Sequence, residues 1–190
     1  MKKTKFILVF ILFANRTVFA QGSTDSTLSY SKVEYVDSTL KSSELFTRAR
    51  EWFALTFRSS NDVIQLEDKQ NGKLIGKGAF KYTSRILYGS EGTKGWVYYT
   101  LTIQVKDGRY KFDLTNFIHE GNPNNTGGAL SFNLITTSDE CPYDFAMSSK
   151  SWKNKVWKDI KQDIQTNSET IISSLKIAMS KPSPKVADEW

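Results

Sequence analysis

The chain has 190 residues, a formal net charge of +6, one cysteine and one histidine. A single Cys closes no internal disulfide, and with a single His the nitrogen and sulfur donors of a zinc site are missing, so no metal or other cofactor is expected. Residues 1–20 carry four basic and no acidic side chains, which leaves 22 basic against 20 acidic, or +2, in the remainder; that near-neutral balance lacks the basic footprint of a nucleic-acid binder.

The chain opens MKKTKFILVFILFANRTVFAQG. Lys2, Lys3 and Lys5 form a positive n-region, Phe6 to Phe13 an apolar h-region, and Val18-Phe19-Ala20 a signal-peptidase site. The apolar run of eight residues is far short of the roughly 20 that span a bilayer. Residues 1–20 are therefore expected to be a signal peptide, and the mature chain to start at Gln21 as a periplasmic or secreted protein with no transmembrane segment. No Cys beside the cleavage site offers a lipid attachment point.

Residues 21–28 (QGSTDSTL) read as a flexible polar lead-in, residues 29–180 as one domain, and residues 181–190 as a disordered tail, because Pro182 and Pro184 stop the last helix. Tyr30 to Val36 alternates as a first strand. Lys41-Ser42-Ser43-Glu44 offers a serine N-cap for a helix from Glu44 to about Arg58, whose apolar residues Leu45, Phe46, Ala49, Trp52, Phe53 and Phe57 recur at spacings of three and four. Val63 to Asp68 reads as a strand, Gln70-Asn71-Gly72 as a turn, and Lys73 to Thr83 as the returning strand. Its Gly76 and Gly78 lie inside a strand pattern and open no helix, so they predict a bulge or the close approach of an aromatic such as Trp52, not a phosphate loop.

Trp96 to His119 is the most ordered stretch. Val97, Tyr99, Leu101, Ile103 and Val105 alternate with Trp96, Tyr98, Thr100, Thr102 and Gln104; Tyr110, Phe112 and Leu114 alternate with Arg109, Lys111 and Asp113. With Asp107-Gly108 between them, these runs predict a long hairpin on a type I′ turn. Glu120 to Ser148 reads as a long loop, turn-rich in its Gly/Asn half and, in the other, either a short strand or a segment packed on the domain edge. Ser149 to Met179 is a helix with the stripe Trp152, Val156, Ile160, Ile164, Ile171, Leu175 and Ala178.

The order is β-α-β-β-β-β-α, an α+β domain. Its simplest burial solution is an antiparallel sheet with both helices on one face. The run RAREWFALTFRSSNDVIQLEDKQNGKLIGKG, then VYYTLTIQVKDGRYKFDLTNFIHEGN, then the helix from Lys150-Ser151-Trp152, resembles domain of unknown function 4468 over Val33 to Met179. This is a family of exported bacterial envelope proteins with a TBP-like fold (after the TATA-box-binding protein). The resemblance implies a curved antiparallel sheet backed by two helices, and it brings no activity and no catalytic residues; a fold does not carry DNA binding with it.

No catalytic signature stands out. His119 beside Glu120 is the most chemical-looking pair, but strand neighbours point to opposite faces, so His119 is expected to be a solvated strand-end side chain. The acid pairs Glu67-Asp68 and Asp139-Glu140 read as solvated turns, and Cys141 as an incidental loop cysteine. The leading expectation is a non-enzymatic binding module whose surface comprises Trp96, Tyr98, Thr100, Thr102, Gln104 and His119 on the open sheet face, with the 120–148 loop beside it. Its partner would be a protein, a peptide or an envelope ligand. Lys150, Lys155, Lys158 and Lys161, with Lys153 at the edge, form a cationic helix face suited to an anionic partner, including peripheral contact with an anionic membrane. The alternatives are an envelope hydrolase using His119 with a carboxylate, and a structural subunit of an envelope assembly.

Overall fold

Period-two alternation makes the two long central strands, and the rest of the chain covers one side of them. The computed structural model describes residues 26–57, 63–88, 90–125, 127–146 and 148–181; the expected signal peptide and almost all of the expected tail lie outside them. The elements are β1 (Tyr30–Tyr35), α1 (Ser42–Thr56), β2 (Ile64–Asp68), β3 (Lys73–Tyr82), β4 (Gly95–Lys106), β5 (Arg109–Gly121), β6 (Asn133–Leu134) and α2 (Lys150–Ser180). The sheet is antiparallel in the order β1-β5-β4-β3-β2, and β6 pairs with β5 beyond the end of β1. The predicted α+β order holds, with β6 added from the second half of the long loop.

Both helices pack on one face. Val97, Tyr99, Leu101, Ile103 and Val105 of β4 and Tyr110, Phe112 and Leu114 of β5 are buried there with Leu45, Phe46, Ala49, Trp52 and Phe53 of α1. From α2 come Val156, Trp157, Ile160, Ile164, Leu175 and Met179. Each such side chain contributes roughly 1.5–3 kcal/mol of apolar burial, which is what the isolated hairpin lacked. Trp157 and Met179 lie off the predicted stripe, whereas Ile171 and Ala178 are only partly buried. The 31-residue helix α2, about 46 Å long, runs from Tyr82 of β3, which Asp159 meets, to Glu34 of β1, which pairs with Lys176.

Local expectations fail at two places, each for a tertiary reason. The hairpin turn is not type I′: Gly108 has φ 69°, but Asp107 does not share the positive φ that both central residues would need. Asp107 is instead committed to α1, where its Oδ1 accepts the Ser42 N–H at 2.8 Å and its Oδ2 meets Lys41 Nζ at 3.1 Å. Consequently α1 has no serine cap; Lys41 holds the N-cap position and the capping carboxylate comes from the hairpin tip. At Gly76 the aromatic expectation holds in kind, but the ring is Phe53, not Trp52: an added Cβ would stand 2.5 Å from Phe53 Cε1. Gly78 is covered by the Tyr99 ring in the same way.

The expected lead-in is not free at its end. Thr27 bridges Thr136, and Leu28 N donates to Ile135 O at 3.0 Å, so residues 26–28 run beside β6.

Candidate functional site: the open face of the sheet

Directly opposed residues of antiparallel strands project to the same side, so the register lays out the uncovered face row by row. One row reads Lys81–Trp96–Glu120, the next Ala79–Tyr98–Ile118–Leu134, and the next Lys77–Thr100–Thr115. Toward the hairpin tip follow Ile75–Thr102–Asp113–Ser31 and Lys73–Gln104–Lys111–Val33. Trp96 is 48 % exposed, Tyr98 41 % and Ile118 37 %. Thr100 and Thr102 are half-buried and Gln104 is exposed. The structure therefore brings five of the six sequence-derived surface residues onto one face, and no described element covers it.

His119 is the exception, and a bulge explains it. Thr100 opposes Thr115 while Tyr98 opposes Ile118, so between these pairs the single Tyr99 of β4 faces both Asn116 and Phe117 of β5. The extra residue is accommodated at Asn116, which takes the left-handed φ of 55° that Asn tolerates better than most side chains. Parity inverts across it: Phe117, His119 and Gly121 turn to the helix side, and Ile118 turns to the open side. His119 is fully buried. Its Nε2 stands 2.8 Å from the Thr93 carbonyl and its Nδ1 accepts the Phe132 N–H at 3.1 Å, which fixes the neutral Nε2–H tautomer. The rings of Tyr82 and Phe132 pack edge-on against it. Burial pushes its pKa down to about 4 against the smaller opposing effect of the Thr93 hydrogen bond. His119 is thus neither a solvated strand-end residue nor part of the open face. The hydrolase reading also loses its base, since both ring nitrogens are tied to backbone inside the core.

The 120–148 stretch divides. Asn122–Asn124 and Gly127–Ala129 are exposed, but Phe132 and Ile135 are fully buried, and Phe132 lies at the centre of a ring cluster with Phe145, Trp152 and Trp157. Its second half anchors Phe132 and Ile135 in the core while Thr137, Asp139, Glu140, Pro142 and Asp144 stay exposed. Cys141 is half-buried there; its N–H donates to Asn154 Oδ1 at 2.9 Å, and burial pushes its thiol pKa up.

The cationic face of α2 is mostly spent. Lys150 pairs with Glu140 at 2.8 Å, Lys153 pairs with Asp144, and Lys161 Nζ donates to the Thr137 and Ser138 carbonyls at 3.1 and 3.0 Å. The first turn of α2 holds no acid of its own, so Glu140 and Asp144 supply from the preceding segment the negative charge that a helix N-terminus favours. Among the described residues only Lys155 and Lys158 of this group stay exposed without an ion pair.

A second polar cluster went unread in the sequence. Asp159 accepts from Tyr82 Oη at 2.6 Å, from the Arg85 backbone N–H at 3.1 Å and from Arg85 Nε at 2.7 Å. Burial pushes this carboxyl up, but these hydrogen bonds outweigh it and hold Asp159 below its usual range, while burial raises neighbouring Asp163. The cluster latches α2 to the segment after β3. No group of three or more His, Cys, Asp or Glu among the described residues could hold a metal, and no described helix is long and apolar enough to cross a membrane.

The fold has solved counterparts. A crystal structure of a TBP-like protein from Parabacteroides distasonis superposes with TM-score 0.55 at 12 % identity, covering 79 % of this chain and 93 % of that one. A DUF4468 family protein from Bacteroides ovatus superposes with TM-score 0.55 at 12 % identity, covering 84 % and 90 %. At that identity the likeness is one of fold. No curated protein matches the chain. The model of a domain of unknown function with TBP-like fold, DUF4468, matches residues 30–120, which run from β1 to the penultimate residue of β5 and include the open face except for Leu134 of β6. With the open antiparallel sheet and its two helices, this gives the chain a TBP-like fold and a match to the DUF4468 family model from β1 into β5.

Proposed function

We propose that this is an exported envelope protein that works by binding, not by catalysis, and that it engages its partner through the open sheet face around Trp96 and Tyr98. The observation that carries the reading is the half-exposure of these two rings side by side on β4. Large aromatics held at a surface by a rigid strand supply contact area at little entropic cost, and such patches mark interaction sites. Ile118, Leu134 and Ala79 extend the apolar row, and Lys77, Lys81 and Glu120 border it with charge. Export rests on the positive, apolar and small-residue pattern of residues 1–20.

Site-specific photocrosslinking in cells tests the surface. A photoreactive side chain at position 98 is expected to capture a partner, and one at position 165, exposed on α2, is expected to capture none. Capture from position 165 alone would sink the reading. N-terminal sequencing of the envelope-associated protein is expected to begin at Gln21; an intact Met1 in a purely cytoplasmic pool would remove the export claim.

A further inference from the structure

At the Asp107–Gly108 end, the open face runs into a pocket of about 350 Å³. Lys106 lies opposite Arg109 and Gln104 opposite Lys111, while on the β1 side Arg109 faces Tyr35 and Lys111 faces Val33. Three cations therefore share one concave wall with the neutral donors Gln104, Asn71 and Tyr35, and no Asp or Glu lines it. Lys111 holds Asp113 at 2.9 Å. Lys106 and Arg109 have no ion pair among the described residues, because the nearby Asp107 carboxylate is taken by Lys41 and Ser42. Like charges directly opposed across strands cost stability, so the Lys106–Arg109 pair works against the hairpin it belongs to. A multiply charged anion would turn that repulsion into attraction.

We propose that this pocket binds a phosphate group. Arg109 provides a planar fork for two phosphate oxygens, Lys106 and Lys111 act as point charges, and Gln104, Asn71 and Tyr35 donate to the remaining oxygen. A phosphate monoester carries close to two negative charges at neutral pH, matching two unpaired cations better than a carboxylate does. The inference rests on the open face being the binding surface and adds the ligand chemistry at its far end. Tyr98 and Gln104 are six residues apart on one strand, about 20 Å, so the phosphate site and the aromatic pair are separate contacts. The phosphate can belong to a soluble ester or to a lipid headgroup.

The test titrates the purified protein with inorganic phosphate at low ionic strength, with chloride as the matched control, and follows backbone amide shifts by NMR. Saturable shifts at residues 33–35, 71 and 104–111, weakened roughly tenfold or more in Arg109→Ala, are expected. Arg109→Lys, which keeps the charge but loses the fork, falls between. Sedimentation with phosphatidylcholine vesicles, with and without phosphatidic acid, separates the sources: vesicle binding that Arg109→Ala abolishes assigns a headgroup, and phosphate binding without it assigns a soluble ester. Absence of saturable shifts in the unsubstituted protein, or shifts that Arg109→Ala leaves unchanged, overturns the proposal. The photocrosslink at position 98 reads the aromatic pair and the phosphate titration reads the hairpin-tip pocket, so either result can fail without the other.

Discussion

His119 Nδ1 accepts the backbone N–H of Phe132 at 3.1 Å, tying the central hairpin to the segment that folds back over its end. The bond requires a neutral ring, and burial holds the folded pKa at about 4 against an ordinary value of 6.5. Above pH 6.5 both folded and unfolded chains carry neutral His119, and its full contribution is present. As pH falls below that value the unfolded chain takes up the proton first, so stability drops until the folded ring also protonates near pH 4. The expected loss between about pH 7 and pH 5 is about 2 kcal/mol. Because His119 is the only histidine, urea unfolding at the two pH values reads this effect, and His119→Leu should flatten the slope while lowering stability at both. An unchanged slope in that variant would assign the pH dependence elsewhere.

Asn116 carries the bulge that turns His119 inward, and its φ of 55° is tolerated by Gly and poorly by a branched side chain. Asn116→Gly is expected to leave the urea midpoint within about 0.5 kcal/mol of the unsubstituted protein, and Asn116→Val to lose roughly 1–2 kcal/mol. Equal midpoints for the two variants would mean that the bulge relaxes away under substitution.

The same bulge marks the limit of what the residues disclose by themselves. From Trp96 to Leu114 the alternation is written in side chains, and both the hairpin and the open-face residues Trp96, Tyr98, Thr100, Thr102 and Gln104 are legible from it. Past Thr115 one extra residue inverts the parity, and nothing in TNFIH announces the slip, so His119 and Ile118 exchange the faces that strict alternation gives them. The Asp107 cap of Ser42 joins residues 65 positions apart, and the Asp159–Tyr82 bond residues 77 apart; local spacing carries neither. Phe132 was hidden differently: it lies just past the Gly/Asn-rich half of the long loop, and its burial follows only once β6 pairs with β5. By contrast, Lys73, Lys77 and Lys81 stand at every second outward position of β3, and their place on the open face was available from period two alone.

Asp159 is the hub of the latch between α2 and the segment after β3. Asp159→Ala would leave the buried Tyr82 hydroxyl without its acceptor and Arg85 without its carboxylate partner. The expected loss is roughly 2–3 kcal/mol, chiefly the desolvation of the orphaned hydroxyl. Tyr82→Phe should cost less, and adding it to Asp159→Ala should recover part of the loss, since no buried donor is then stranded. Strict additivity of the two substitutions would show that the bond contributes nothing of its own.

Gly76 and Phe53 form the tightest seam between α1 and the sheet. An added Cβ at Gly76 would meet Phe53 Cε1 at 2.5 Å and Cζ at 3.0 Å. The ring has little room to yield, because it is fully buried with Trp52 edge-on and Phe57 stacked against it. Gly76→Ala is therefore expected to cost about 1–3 kcal/mol despite adding only one methyl group to a strand that otherwise gains from it. Phe53→Leu alone opens a cavity and also costs stability. Together the methyl occupies part of the space that the ring vacates, so the double variant should be more stable than the sum of the single losses predicts, with a coupling of about 1 kcal/mol in denaturant unfolding. A coupling of zero would place the strain of Gly76→Ala in the β3 backbone and not against the Phe53 ring.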